Sequence, residues 1–137
     1  MLKPNYLLRI GFPSIFTCLV MIFSGCNGLP GDGGTSTITG KVFVERYNES
    51  GTLYQQYYGA EERVYIIYGD GTTFDDETKT SYDGTFQFPF LRQGTYTIFS
   101  YSDCITCDGS TEVVLQTVEI TDNHQDVTAT DIVIEKR

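Results

Sequence analysis

Two hydrophobic regimes divide the chain. From Ile10 to Phe23 the residues are almost wholly apolar, interrupted only by Gly11, Pro13, Ser14, Thr17 and Cys18, and the preceding segment carries Lys3 and Arg9 but no acid. The run falls short of the about 20 apolar residues that span a bilayer. A basic start followed by a short apolar stretch is the pattern of a cleavable export signal. From Thr37 onward the pattern is different. Ile38, Val42 and Val44 share one face, with Gly40 between them, and Val64, Ile66 and Tyr68 alternate with Tyr65 and Ile67. Phe86, Phe88 and Phe90 alternate with Thr85, Gln87 and Pro89, and Tyr96 and Ile98 with Thr97 and Phe99. Val118 and Ile120 flank Glu119, and Ile132 and Ile134 alternate with Val133 and Glu135. A period of two in β-branched and aromatic residues predicts strands. Turn signals separate the runs: Gly69-Asp70-Gly71, Asp83-Gly84, Gln93-Gly94, Asp108-Gly109 and Asp122-Asn123. Asp83-Gly84 predicts a tight hairpin joining Lys79–Tyr82 to Thr85–Phe90, because glycine tolerates the positive φ of such a turn. No window has a helical period. Seven or eight short strands predict an all-β antiparallel sandwich, with a barrel as the alternative.

Asn27 to Ser36 reads Asn-Gly-Leu-Pro-Gly-Asp-Gly-Gly-Thr-Ser, a glycine-rich stretch expected to act as a flexible tether. The chain of 137 residues therefore divides into a leader (1–25), a tether (26–36) and one β domain (37–137). Charge narrows the partners. The formal net charge is −9, and removal of the leader, with Lys3 and Arg9, makes the remainder two charges more negative. An acidic body of this kind does not bind nucleic acid or anionic lipid through electrostatics.

At the end of the leader, Phe23-Ser24-Gly25-Cys26 places small residues before a cysteine. This resembles the lipobox of bacterial lipoproteins. The resemblance implies that Cys26 receives a diacylglyceryl group and becomes the new N-terminus, so that lipid ties the domain to a membrane; two or more acyl chains anchor stably where one does not. Asn27 rather than aspartate after the cysteine implies, by the same resemblance, sorting to the outer membrane.

The β domain resembles a second family. Thr39-Gly40-Lys41-Val42 opens it, Gly59-Ala60-Glu61-Glu62-Arg63-Val64-Tyr65-Ile66 follows, and Thr80-Ser81-Tyr82-Asp83-Gly84-Thr85-Phe86-Gln87-Phe88 leads to Leu91-Arg92-Gln93-Gly94-Thr95-Tyr96-Thr97-Ile98. This order is similar to the carboxypeptidase regulatory-like domains, which are transthyretin-like (prealbumin-like) β-sandwiches. The sequence departs from that pattern at Arg63 and in a tyrosine-rich insertion, Asn48 to Tyr58. The resemblance implies a non-catalytic module that binds, spaces or stiffens; its motifs are structural and name no ligand.

Candidate chemistry is sparse. Cys104-Ile105-Thr106-Cys107 holds the two thiols left after the leader and Cys26 are set aside, and in an exported protein a structural disulfide is the expected state. A redox dithiol would need a helix N-terminus or cationic neighbours, whereas Asp103 and Asp108 flank the pair. Metal binding there would need two further ligands. Asp70, Asp75, Asp76, Glu77 and Asp83 could supply oxygen ligands to calcium, although they lack the Asp-x-Asp-x-Asp-Gly spacing of a calcium loop. Solubility and Asx turns are the plainer reading, and no other cofactor is expected. Tyr54, Tyr57 and Tyr58, placed in a loop with Gln55 and Gln56, could stack on a glycan. The one histidine, His124, lies in a polar turn, and no nucleophile–base pair is anchored by spacing. A non-catalytic binding or structural module is the expectation, with a glycan- or calcium-dependent adhesion module as the alternative and an unidentified protein or glycan as partner.

Overall fold

The computed structural model describes residues 28–104 and 106–137, which contain nine strands and no helix. The leader and Cys26 lie outside the described residues. The strands are β1 (Asp32–Tyr47), β2 (Leu53–Tyr58), β3 (Arg63–Tyr68), β4 (Asp76–Lys79), β5 (Thr85–Leu91), β6 (Gly94–Asp103), β7 (Thr111–Ile120), β8 (Asp126–Thr128) and β9 (Ile132–Lys136). They form two facing sheets, as the alternating pattern predicts. One is four-stranded, in the order β4-β3-β6-β7 and antiparallel throughout; the other has five strands gathered on β1.

The long β1 organises the second sheet. The Val42 amide donates to Gly84 O, and the Thr37 amide donates the opposite way, to Gln125 O. Successive residues of a strand send their backbone groups to alternate sides, so β5 and β2 lie end to end along one side of β1, and β8 and β9 along the other. The pairings with β8 and β9 are parallel. This explains why strands beyond the expected seven or eight are present: β1 is long enough to take two short partners per side.

The inward faces meet in a dry core. Ile38, Val42, Val44, Phe86, Phe88, Leu91, Ile132 and Ile134 come from the β1 sheet, and Val64, Ile66, Tyr96, Ile98, Val118 and Ile120 from the other. Gly40 is required here: a Cβ would lie 2.5 Å from Phe86 Cζ, so the phenyl ring fills the space over the glycine. Hydrogen bonds stitch the layers at their edges. The Glu135 amide of β9 donates to Ser102 Oγ of β6 at 2.8 Å, and Gln116 Nε2 of β7 donates to Thr130 O at 2.7 Å.

Three local expectations are corrected. Asp83-Gly84 does form a tight turn, with Gly84 at φ 80° and its amide donating to Ser81 O at 2.9 Å, but the flanking strands do not pair. β4 stays with β3 while β5 joins β1, so the turn carries the chain from one sheet to the other. The alternation of phenylalanines breaks at Phe90, which has φ 60° and is 70% exposed, and Leu91 takes the inward position instead. Finally, the stretch expected to be a tether is docked well before Thr37. β1 begins at Asp32, Ser36 is buried, the Gly31 amide donates to the Tyr96 hydroxyl at 3.0 Å, and the Arg92 amide donates to Gly31 O at 2.9 Å. The glycines there serve close approach: a Cβ on Gly34 would lie 1.9 Å from Leu91 O.

Candidate binding face

The outward face of the four-stranded sheet is the least expected surface. Between their inward positions β3 carries Tyr65 and Ile67, and the second half of β6 carries Phe99 and Tyr101. Register sets Tyr65 opposite Phe99, Phe99 opposite Leu115, and Tyr101 opposite Val113. Residues directly opposite share a face, so these side chains form one patch, extended by Phe74 from the loop before β4. The rings interlock: Tyr65 and Phe99 have centroids 5.0 Å apart at 16°, Phe74 meets Tyr65 at 5.0 Å edge-on, and Tyr101 meets Tyr65 at 5.5 Å and Phe99 at 5.7 Å, also edge-on. Two nearly parallel rings 5.0 Å apart are too close to be coplanar, so Tyr65 and Phe99 face each other across the strand gap and stand on edge from the sheet. The surroundings remain open: Phe74 is 50% exposed, Tyr101 47%, Val113 48% and Leu115 61%. Contiguous apolar patches on a monomer mark interaction sites more often than isolated exposed residues do. The rim is polar, with Arg63 Nη1 on Glu77 Oε1 at 2.6 Å beside Tyr65, and Thr97 opposite Thr117 toward the other end.

The residues singled out from sequence are dispersed. Tyr54, Tyr57 and Tyr58 lie on strand β2, not in a loop. Tyr57 pairs opposite the core residue Val44, and Tyr58 opposite Phe43, so the two rings point to opposite faces; Tyr54 is the extra residue of a bulge. Cations already occupy two of these rings, with Lys41 Nζ 4.7 Å from the Tyr58 centroid and the Arg46 guanidinium 5.7 Å from that of Tyr54. The Tyr58 hydroxyl donates to Asp131 Oδ2 at 3.1 Å, which raises its pKa. The three tyrosines therefore make no common stacking platform.

The five acids do not converge either. Asp70 lies in the turn after β3. Asp75 Oδ2 accepts the Tyr68 amide at 2.7 Å, Asp76 Oδ1 accepts the Glu77 amide, and Glu77 pairs with Arg63. Asp83 accepts the hydroxyl and amide of Thr85, and these bonds, with Lys41 nearby, hold its carboxyl below the usual carboxylate range. Asx-turn and ion-pair duty thus accounts for four of them, while calcium needs six or more convergent oxygens.

Cys104 and Cys107 lie at bonding distance, with Cα atoms 5.5 Å apart, in the turn that joins β6 to β7. The Glu112 carboxylate comes near, its Oε2 3.9 Å from Cys107 Sγ. Among the described residues this trio alone gathers three ligand-type side chains within 4.8 Å, and a disulfide sulfur has no thiolate to offer a metal. His124 sits at φ 57° in the β7–β8 turn, its amide donating to Thr35 Oγ1 at 3.0 Å. It borders an open cleft of about 550 Å³ with Arg92, Gln93 and Asn123.

The aromatic face escaped sequence reasoning although its signal was present. Tyr65, Ile67 and Phe99 occupy the positions between core residues, where a half-solvated strand ordinarily carries polar side chains. Strands apolar on both faces in a two-layer sandwich, with nothing among the described residues to cover the outer one, are the sign of such a surface. No known family signature matches the chain, and no curated protein is significantly similar to it. Among solved structures, the chain is similar to a Pseudomonas aeruginosa protein for which carbohydrate binding has been proposed, at 16% identity and a TM-score of 0.46, over 77% of this chain and 91% of that one. Among the described residues no helix is long and apolar enough to cross a membrane.

Proposed function

We propose that this chain is a lipid-anchored, non-catalytic docking module of the carboxypeptidase regulatory-like kind. The leader through Gly25 is removed, Cys26 is acylated and sorted to the outer membrane, and the sandwich meets a protein partner through the outward face of β3, β6 and β7. One observation carries the docking reading: a ring cluster of Tyr65, Phe74, Phe99 and Tyr101, with Phe99 buried at its centre and Tyr65 half-buried, leaves Phe74, Tyr101, Val113 and Leu115 exposed side by side on one face. Because Tyr65 and Phe99 stack on each other, each covers a ring face of the other, and the surface fits an apolar protein contact better than the free ring faces that sugars stack on. The calcium-dependent alternative loses its support, since the acids at Asp75, Asp76, Glu77 and Asp83 already serve turns and ion pairs.

A photoreactive phenylalanine at position 101, introduced in intact cells, tests this reading, with position 82 as the control because Tyr82 is 92% exposed and outside the patch. A protein adduct of defined mass is expected from 101 and not from 82. Equal labelling from both would sink the docking face. Glycan-array binding abolished by Tyr101→Ala would replace the protein partner with a sugar. The anchor is checked separately: mass spectrometry of the native protein should find an acylated N-terminal Cys26, and Cys26→Ser should release the domain from membranes.

A further inference from the structure

The edge of the same sheet holds a feature that stands apart from the docking reading. Among the described residues β7 is a terminal strand, paired with β6 from Gly94↔Ile120 to Asp103↔Thr111 and with no strand of those residues on its other side. The Gly69 amide donates to Thr95 O, so the odd residues of β6 turn their backbone toward β3 and the even ones toward β7. The register then assigns Glu112, Val114, Gln116 and Val118 to β6 and leaves the amides and carbonyls of Val113, Leu115 and Thr117 pointing outward. Edge strands in natural proteins are commonly blunted by lysine, proline, a bulge or short length. β7 spans ten residues, its register with β6 is unbroken, and it contains neither lysine nor proline.

We infer that β7 pairs with β7 of a second copy of this chain, antiparallel and two-fold symmetric about Val114, which joins two four-stranded sheets into one of eight. The side chains choose both the occupant and the register. A two-fold centred on Val114 sets Val113 of each copy against Leu115 of the other on the outer face, Thr111 against Thr117, and Val114 against itself on the inner face. Glu112 then faces Gln116, and Glu119 lies opposite Gly109, so no carboxylate opposes another. Centring on Leu115 would set Val113 against Thr117, and centring on Val113 would set Leu115 against Thr111. The Val114 register alone covers both exposed aliphatics with aliphatics, and isologous pairing is the commonest form of homo-oligomer. The paired copies would also run their aromatic patches together, since Leu115 beside Phe99 would abut Val113 beside Tyr101 of the second copy.

Backbone parity supplies a selective test. Proline at 117 removes an amide that points away from β6, where an edge strand tolerates it, whereas proline at 116 removes one that β6 uses. With the detergent-solubilised full chain, native mass spectrometry should show a dimer. Thr117→Pro should convert it to monomer and keep the melting midpoint that the unmodified chain shows once diluted to monomer, while Gln116→Pro should lower the midpoint below that. Val114→Cys should form an oxidised dimer band on a non-reducing gel, lost on adding Thr117→Pro. A monomer in the unmodified chain, or a dimer that survives Thr117→Pro, overturns the inference. So does a well-folded Val114→Cys chain that fails to crosslink, because it removes the register. These readouts do not involve position 101, so their failure leaves the docking face standing, and the converse also holds.

Discussion

At the scale of single residues, Tyr96 shows how much of the fold one hydroxyl can hold. Its ring fills the core, and its hydroxyl donates to Arg92 O at 2.7 Å, four residues upstream, while accepting from the Gly31 amide at 3.0 Å. The same atom thus fixes the β5–β6 turn and seats the segment that leads into β1. The alternation of Tyr96 and Ile98 with Thr97 and Phe99 indicates one shared face for the first pair, but says nothing of what the hydroxyl meets. Tyr96→Phe leaves the buried Gly31 amide and the part-buried Arg92 carbonyl without this partner, and should cost about 1–3 kcal/mol in a denaturant melt, more than an exposed tyrosine of β2 would. Tyr68 gives a pH-dependent counterpart. Burial, followed by its hydrogen bond to Asp32 Oδ1, raises its pKa well above the usual tyrosine range. The folded chain therefore holds this proton more tightly than the unfolded one. The associated stability is complete below the unfolded value of about 10 and falls as pH climbs beyond it. Denaturant midpoints measured from about pH 9 to pH 11 should decline, and Tyr68→Phe should flatten that decline.

At the scale of elements, strand existence was legible and strand partnership was not. Alternation at Val64–Tyr68, Thr85–Phe88 and Tyr96–Phe99 located β3, β5 and β6, because half of each strand must face a core. Alternation says nothing about which sheet a strand enters, so Asp83-Gly84 looked like a hairpin although it bridges the two layers. β2 was missed for a related reason: all six of its residues are exposed, so no burial pattern marks it, and it exists because β1 extends far enough to offer it an edge. The Cys104–Cys107 disulfide closes a turn whose strands are already paired along their whole length. With a loop of four residues, chain entropy predicts that Cys104→Ser with Cys107→Ser costs no more than about 2 kcal/mol. The double variant should keep its β circular dichroism spectrum and melt only modestly earlier; collapse of the spectrum would show that the bond holds more than this turn.

At the scale of the whole molecule, docking of the N-terminal segment shortens the leash. Between Cys26 and Gly31, where bonding to the domain begins, the chain can span at most about 18 Å. A lipid on Cys26 would therefore keep the end of the sandwich bearing Arg92, Gln93 and the β7–β8 turn close to the bilayer. Inserting a flexible glycine–serine stretch after Asn27 should increase the distance from a label on that end to the membrane, read by quenching from headgroup-labelled lipid. An unchanged distance would place the constraint elsewhere. What the amino-acid sequence determined by itself was local: strand faces, turn glycines and an acidic, all-β body, since periodicity and charge are properties of neighbours along the chain. Which sheet each strand joined, that Gly34 rests on Leu91 O, that four acids serve turns and ion pairs, and that Phe74, Tyr101, Val113 and Leu115 form one exposed surface around Tyr65 and Phe99 were decided only in the folded structure. Those contacts join residues far apart in sequence, and pairing register, which no single strand encodes, brings them together.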